Sequence, residues 1–598
     1  MQSNLFLKDL FPVWGGELKR KQTRPSGRET GASRVSTMRS YDDAVAFLGR
    51  WGLFQQVVFF MLCVTILPNG FGGFMLVLLT DVPDHSCRVP DGNLTEAWRG
   101  SVIPVQVVNG KEELSKCTRY KLDVVRNLSS HELVPGVDVD LSGLELESCV
   151  DGWNYSKDVY ESTIVTEFDL VCGEQWKQPF TTMVFFTGVL TGCFFSGQLS
   201  DRFGRKPILF ATIAMQTLFT FMEIFSPSWI VFVILLFING LGQMSNFVSA
   251  LVLGSETLTG NVRIIYASMG TNMAFAAGYM ILPLIAYFLR DWKSLLLALS
   301  VPCLAYIPFW WLIPESPRWL LSQGRVEEAE AILRNAAKWN KVQAPEVIFE
   351  DYLTIKTEKQ DKRNESFFVL LRHSNIRNTT LILCLLWFTT SVGYYSLSFN
   401  TAQLHANPYL SCFISAVVEI PAYISSWLVL QYLPRRVSAI SCLVFGAVPL
   451  FILLPVPEDL PNLILALEML SKFFLTCGFS LMFAYASELF PTVIRNTATG
   501  TCNTCARIGC CVTPFLLTLS NHYKYLPYII LGILNILSAI ATLFLPDTFK
   551  KPLPETIEEM QMQRDRISCP CITRTNTSSS KDDQPTHQWK KVAMADSP

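Results

Sequence analysis

Twelve apolar runs of membrane-spanning length constrain this chain more than any other feature. About 30 Å of hydrocarbon needs about 20 residues of helix, at about 1.5 Å per residue. Runs of that size lie at Phe54–Leu79, Pro179–Leu199, Pro207–Phe225, Trp229–Leu253, Ile264–Phe288 and Leu295–Ile313. A second six lie at Thr379–Phe399, Tyr409–Leu430, Ser438–Val456, Asn462–Ala486, Asn496–Ser520 and Leu526–Pro546. Composition agrees: 50% of the 598 residues are hydrophobic and only 17% are charged, against about 25% in a soluble globular protein. A net charge of −1 excludes a polybasic nucleic-acid binder and a strongly acidic disordered chain.

Short loops set the expected orientation, because basic residues stay cytosolic. Arg202, Arg205 and Lys206 sit between runs two and three, and Arg435 and Arg436 between runs eight and nine. The opposite side carries Ser226-Pro227-Ser228 and 457–461 without a cation; Arg290 and Lys293 are the exception. The stretch from Thr80 to Lys177 is then extracellular. It holds the clustered Cys87, Cys117, Cys149 and Cys172 and the sequons at Asn93, Asn127 and Asn154. Four clustered cysteines in an oxidising compartment predict two disulfides, in any of three pairings. The expected division is a cytosolic N-terminal arm over 1–53, a first span over 54–79 and an extracellular domain over 80–177. Spans two to six follow over 178–313, a cytosolic loop over 314–378, spans seven to twelve over 379–546 and a cytosolic tail over 547–598.

The chain repeats itself. Ser255-Glu256 is followed by Arg263, and Ser487-Glu488 by Arg495, with the same Glu-to-Arg spacing. A basic turn precedes each: Asp201–Lys206 in the first copy and Leu433–Arg436 in the second. The matched offsets predict two parallel copies of a six-helix unit, with a substrate site near the midplane between them.

Residues 197–206, GQLSDRFGRK, resemble the G-x-x-x-D-R-x-G-R-[RK] loop of the major facilitator superfamily, and Pro314–Leu320 is similar to the PESPRWL that follows its sixth helix. ESCVDGW at Glu147–Trp153, STIVTEFDLVC at Ser162–Cys172 and QYLPRR at Gln431–Arg436 resemble the organic cation/carnitine transporters of the solute carrier organic-ion family. The likeness runs from about Met38 to Thr556. It implies an all-α membrane protein of twelve transmembrane helices in two six-helix pseudo-repeats, with a disulfide-bearing extracellular domain after helix 1. The protein would then sit in the plasma membrane with both termini cytosolic. The repeat-linked charges Asp201, Arg202, Arg205, Glu256, Arg263, Arg495, Glu315 and Arg318 fall where such proteins gate alternating access.

Ionisable residues inside the bilayer cost at least about 2.5–3.5 kcal/mol each on insertion scales, and the second half holds several. Glu419 is central in run eight, Lys472 in run ten and Arg507 in run eleven. Glu468 and Lys472, one helical turn apart, are expected to pair. Glu419 and Arg507 either pair across the bundle or face a substrate. An Arg grips a carboxylate with two parallel hydrogen bonds. A quaternary ammonium is held instead by aromatic faces and nearby negative charge. Phe247, Phe275, Trp387, Tyr394, Phe483 and Tyr485 are the candidate cage, with simple packing as the alternative for each. An Arg, an acid and aromatics at one depth suit a small zwitterion.

The resemblance points to carnitine-like zwitterions and organic cations moved by secondary-active transport. Alternatives are a sodium-independent cation or ergothioneine carrier and a non-transporting receptor on the same fold. In carnitine-type relatives sodium supports uptake, and the corresponding positions are Asn69, Gln216, Asn246 and Glu488; Glu488 also fits a gate paired with Arg495 or the basic loop. The expected partners are the small-molecule substrate and membrane lipid, with no cofactor beyond sodium as co-substrate. No HExxH, GxSxG or phosphate-cradling loop is present, and no His lies mid-run, so neither an enzyme nor a metal site is expected.

Overall fold

A computed structural model describes residues 41–549 except 50, 91–93, 109–110, 347, 350–373, 404–406, 458–459 and 492–493. The predicted N-terminal arm up to residue 40, the tail beyond 549 and the Asn93 sequon therefore lie outside the described residues. Tyr41–Ala44, one short helical turn, falls in a separate unit. All that follows concerns the unit that begins at Val45.

The unit is built from helices. The first half contains α1 (Leu53–Leu79), α2 (Lys177–Phe203), α3 (Arg205–Glu223), α4 (Trp229–Thr257), α5 (Thr271–Phe288) and α6 (Trp292–Ser300). A short helix, Gly260–Ile265, and a π turn over Tyr266–Gly270 lead into α5. The second half contains α7 (Ser374–Phe399), α8 (Pro408–Tyr432), α9 (Arg435–Leu453), α10 (Pro461–Leu489), α11 (Arg495–Thr518) and α12 (Leu526–Thr542). Among the described residues, ten helices are long and apolar enough to cross a membrane. The chain is an all-α multi-pass membrane protein. Two of the twelve expected spans fall outside that ten. Helix α3 begins with Arg205 and Lys206, which lower its apolarity, and α12 is short.

The helix contacts follow a similar pattern in the two halves. In the first half α2 and α3 pack on α4, and α1 packs on α5 and α4; in the second, α8 and α9 pack on α10, and α7 on α11 and α10. Among the described residues the most extensive contacts between the halves are α2 with α11 and α5 with α8. Small residues permit the closest crossings, as is usual where lipid offers no hydrophobic drive to associate. At the α1–α5 crossing a Cβ on Gly278 would lie 2.2 Å from the Leu67 carbonyl, and one on Gly70 would lie 2.1 Å from that of Phe275.

The stretch between α1 and α2 folds around a small core of Trp98, Val102, Tyr120, Leu122 and Val125. Three antiparallel two-stranded ribbons frame it, with β1 (His85–Cys87) on β6 (Trp153–Tyr155), β2 (Val105–Val108) on β3 (Lys111–Leu114), and β4 (Thr118–Tyr120) on β5 (Leu146–Ser148). Disulfides join Cys87 to Cys149 and Cys117 to Cys172, one of the three expected pairings. Buried Arg119 holds Glu147 at 2.9 Å and Asp151 at 2.5 Å. Asn127 and Asn154 are exposed. The stretch also docks on the bundle. Tyr160 donates to Asp81 at 2.8 Å, and burial pushes the Asp81 carboxyl above its ordinary range. Tyr409 of α8 donates to the Val159 carbonyl at 3.1 Å. Arg290 and Lys293, the exceptional loop cations, are engaged here: Arg290 donates to the Asp158 carbonyl at 3.3 Å and Lys293 pairs with Glu167 at 2.6 Å.

Candidate substrate cavity

A cavity lies between the halves, enclosing about 760 Å³ of space including its open mouth. The first half contributes Asn69 and Gly73 from α1, Phe185, Phe186 and Val189 from α2, Gln243, Met244 and Phe247 from α4, and Asn272 and Phe275 from α5. The second half contributes Tyr394 and Tyr395 from α7, Tyr423 from α8, Phe479, Ser480 and Phe483 from α10, and Arg507 from α11. Among the described residues, Arg507 is the only charged one in this lining. Its Nη1 donates to the Tyr395 hydroxyl at 3.3 Å, while its Nε is buried without an acceptor. Among the described residues it makes no ion pair. Aromatic faces and one under-used guanidinium can grip a molecule that is apolar-cationic at one end and anionic at the other.

An ion pair lies one layer behind this wall. Glu419 and Lys472 are both fully buried and sit 3.1 Å apart. Tyr394 donates to Glu419 at 2.8 Å, Tyr423 at 3.5 Å, and Lys472 donates to the Ser415 hydroxyl at 2.5 Å. The lysine Nζ also lies 4.8 Å from the ring centre of Tyr279, 5.5 Å from Tyr394 and 5.8 Å from Phe74. Part of the aromatic cage thus surrounds the protein's own ammonium. Burying both charges is tolerable because each has hydrogen bonds beyond the pair itself. Glu419 therefore reaches the cavity through the hydroxyls of Tyr394 and Tyr423, and it pairs with Lys472 rather than Arg507. Glu468, the sequence-predicted partner of Lys472, accepts instead from Asn400 at 2.9 Å and from the Tyr528 hydroxyl.

A cluster of buried amides lies on the first-half side, with Asn69 and Gln243 in the cavity lining and Gln216 and Asn246 behind them. Gln216 donates to the Pro68 carbonyl at 3.3 Å, Gln243 to the Asn69 carbonyl at 2.6 Å, and Asn246 to the Thr65 carbonyl at 3.1 Å and Asn69 Oδ1 at 3.4 Å. Gly72 and Gly73 lack side chains that would crowd these amides. Gln216 Oε1, Gln243 Oε1 and Asn246 Oδ1 are buried with no donor. Asn69 Nδ2 is likewise buried without an acceptor, so the cluster offers three unpaired amide oxygens, the hard ligand type that small cations take, and one unpaired amide donor.

The two halves carry matched charge clusters at their loops. Arg205 holds Glu256 at 3.1 Å and Asp201 at 2.6 Å; Arg435 holds Glu488 at 3.1 Å. Glu315 accepts from the backbone N–H groups of Arg205 and Lys206 at 3.1 Å, capping α3, while Asp547 accepts from that of Arg436 at 3.5 Å at the start of α9. Trp319 donates to the Asp201 carbonyl at 2.9 Å, and Arg495 to that of Phe490 at 3.2 Å. Arg202 lies over the Phe203 ring, and Arg263 and Arg318 are also engaged.

Of the residues singled out from sequence, Arg507, Tyr394, Phe247, Phe275, Phe483 and Asn69 line the cavity. Trp387 is buried behind the wall, with its ring centre 4.4 Å from that of Phe483. Tyr485 points away, donating to the Pro546 carbonyl at 2.8 Å. Glu488 stands apart from the amide cluster, on Arg435 and Thr548. Sequence reading passed over Tyr395, Tyr423, Gln243, Asn272 and Phe479. Gln243 stands three residues before Asn246 and Tyr423 four after Glu419, so helical spacing from a chosen residue would have found both.

A family profile described as sugar (and other) transporter matches residues 150–560. The chain is 50% identical over 526 residues to organic cation/carnitine transporter 2 of Homo sapiens, covering 88% of this chain and 94% of that protein. It is 46% identical over 549 residues to solute carrier family 22 member 4 of Mus musculus, covering 92% and 99%. The chain belongs to the organic cation/carnitine transporters. Among solved structures, the inward-open xylose transporter XylE of E. coli is similar at 15% identity with a TM-score of 0.56, covering 85% of this chain and 99% of that one. That likeness concerns the fold alone. As a transporter of this family, the chain needs no catalytic group, and its function rests on what the cavity holds and how the halves move.

Proposed function

We propose that this transporter is a secondary-active plasma-membrane carrier of carnitine-like zwitterions and organic cations, working by alternating access. The observation that carries the reading is Arg507: a guanidinium with a bare Nε and, among the described residues, no acidic partner, in a cavity also lined by aromatic side chains. It receives the substrate carboxylate, while Phe247, Phe275, Tyr394 and Phe483 receive the trimethylammonium, helped by the buried charge of Glu419. The twelve helices span as two sets of six, with 80–177 outside and both termini in the cytosol. Support for that orientation comes from the exposed sequons at Asn127 and Asn154, the two disulfides and the engagement of Arg290 and Lys293 by the same stretch. Asp201, Arg205 and Glu256 in the first half, and Arg435 and Glu488 in the second, form two clusters that approach and separate at the cytosolic side as the halves rock.

Sodium is the co-substrate in this reading. Gln216, Gln243, Asn246 and Asn69 supply its oxygens, and Glu488 serves the gate. The test is uptake of labelled carnitine and ergothioneine into cells expressing the chain, with and without sodium, beside Arg507→Ala. Saturable zwitterion uptake that the substitution removes, with tetraethylammonium still transported, supports the carboxylate site. Zwitterion uptake that survives the substitution removes it. Uptake of neither zwitterion at normal surface expression turns the reading to a cation uniporter or a receptor.

A further inference from the structure

Tyr395 makes two contacts that the transport reading leaves unconnected. Its hydroxyl accepts from Arg507 Nη1 at 3.3 Å, within the second half. Its ring packs on the first half, with its centre 5.0 Å from that of Phe186 on α2 and 6.0 Å from that of Phe74 on α1. Phe399, one turn beyond Tyr395 on α7, meets the same two rings at 5.8 Å and 6.0 Å. Phe74 and Phe186 are almost wholly buried. Tyr395, Phe186 and Gly73, the residue before Phe74, line the cavity, and Phe74 lies near the end of α1 that leads into the 80–177 stretch. These four rings, two from each half, therefore roof the cavity on that side.

A carboxylate binds a guanidinium along one edge, through two parallel N–H groups. The Tyr395 hydroxyl takes Nη1, and the edge that joins Nε to Nη2 keeps an unpaired N–H at Nε. The hydroxyl thus fixes the plane of the guanidinium without covering that edge. We propose that Tyr395 is a positioning residue that couples closure of the aromatic roof to recognition of the substrate carboxylate. With the roof closed, Phe74 and Phe186 hold the Tyr395 ring, and its hydroxyl holds Arg507 in the orientation that receives a carboxylate. When the halves part on this side, Tyr395 loses those two rings and the guanidinium loses its fixed plane. A ligand shifts an equilibrium only by binding one state better than the other, and the effect is reciprocal. A carboxylate on Arg507 therefore favours the closed roof, whereas a cation without a carboxylate does not draw on this contact. The inference rests on the reading of Arg507 as the carboxylate site.

The test compares wild type with Tyr395→Phe, which keeps the ring in the roof and removes the hydroxyl, in cells expressing the full chain. The ratio of the carnitine KM to the tetraethylammonium KM should rise by about fivefold or more, the lower range of coupling between sites. Phe399→Cys reports on the roof itself. Its labelling by a membrane-impermeant thiol reagent, measured above that of the chain without the substitution, should slow at saturating carnitine. With Tyr395→Phe added, saturating carnitine should no longer slow it. An unchanged KM ratio together with a carnitine-slowed labelling in both backgrounds would overturn the proposal. A proportional rise of both KM values would overturn it as well, because a tyrosine that only packs affects both substrates. Arg507→Ala separates the two levels of the argument. Carnitine uptake lost in that variant, beside an unchanged ratio in Tyr395→Phe, overturns the coupling and keeps the carboxylate site; carnitine uptake intact in Arg507→Ala overturns both.

Discussion

The two halves share a packing plan but differ in what fills it. The offset of 232 residues from Glu256 to Glu488 carries Gly240 of α4 onto Lys472 of α10. At Gly240 the helices meet so closely that a Cβ would lie 2.5 Å from the Phe185 carbonyl. At Lys472 the corresponding place is held open by a buried lysine, its carboxylate and three rings. The first half gives the cavity amides and phenyl rings; the second gives it Arg507 and, one layer back, Glu419. One half is thus a neutral wall held by backbone contact. The other is a charged wall, with Arg507 in the cavity lining and the Glu419–Lys472 pair behind it.

The largest effect should come from breaking the ion pair. Lys472→Met leaves Glu419 buried and unpaired, at a cost of about 3–5 kcal/mol. The expected result is a strong loss of surface expression and a lowered Tm in detergent. Adding Glu419→Gln should restore most of the Tm and lower cation affinity, because it removes the charge that the single substitution sets free. If the single substitution leaves Tm unchanged, the second half does not depend on that pair. Next is Arg507→Lys, which keeps the charge but loses the planar fork. A charge-assisted hydrogen bond contributes about 1.5–3 kcal/mol, so zwitterion kcat/KM should fall by roughly 10- to 100-fold, with tetraethylammonium uptake little changed. An equal fall for both substrates would mean that Arg507 shapes the wall rather than binding carboxylate.

The neutral half offers the complementary test. Gly240→Ala places a methyl group against a main-chain carbonyl that cannot swing aside. Overpacking of this kind costs about 1–3 kcal/mol, and Tm should drop accordingly while substrate selectivity is kept. A Tm equal to wild type would show that α2 and α4 separate without cost, and the contrast between the halves would lose its basis.

Sequence revealed the long apolar helices and picked out Arg507, which lines the cavity, because each leaves a local mark: an apolar run, or a charge where none is expected. It did not reveal partners set by side-chain direction across helices. Lys472 and Glu468 are neighbours by spacing, yet Lys472 turns toward α8, where Glu419 and the Ser415 hydroxyl wait. Trp387 and Tyr485 share the aromatic signature of Tyr394, but Trp387 lies behind the wall and Tyr485 turns to the Pro546 carbonyl. Residue type cannot distinguish the faces of a helix that is apolar all round. Gln243, which donates to the Asn69 carbonyl, was missed for a related reason: an amide mid-helix signals burial but not which neighbour it meets.

The smallest predicted difference lies at the loops, where the halves look most alike. Arg205 and Arg435 are 10% and 14% exposed, and each holds a glutamate at 3.1 Å. Their remaining contacts differ. Arg205 adds Asp201 at 2.6 Å, whereas Arg435 turns its Nη1 to the carbonyls of Leu430 and Leu433 at the end of α8. A lysine replaces part of a charge–charge contact but cannot reach a carboxylate and two carbonyls at once. Asp201 is largely exposed, so its ion pair is screened and contributes at most about 1 kcal/mol. Leu430 and Leu433 carbonyls at a helix end have fewer other donors to turn to. Arg435→Lys should therefore slow maximal uptake by a few-fold more than Arg205→Lys, at matched surface expression and unchanged KM. The reverse order would place the principal gate in the first half, where Glu315 already caps α3, and would make the second loop its follower.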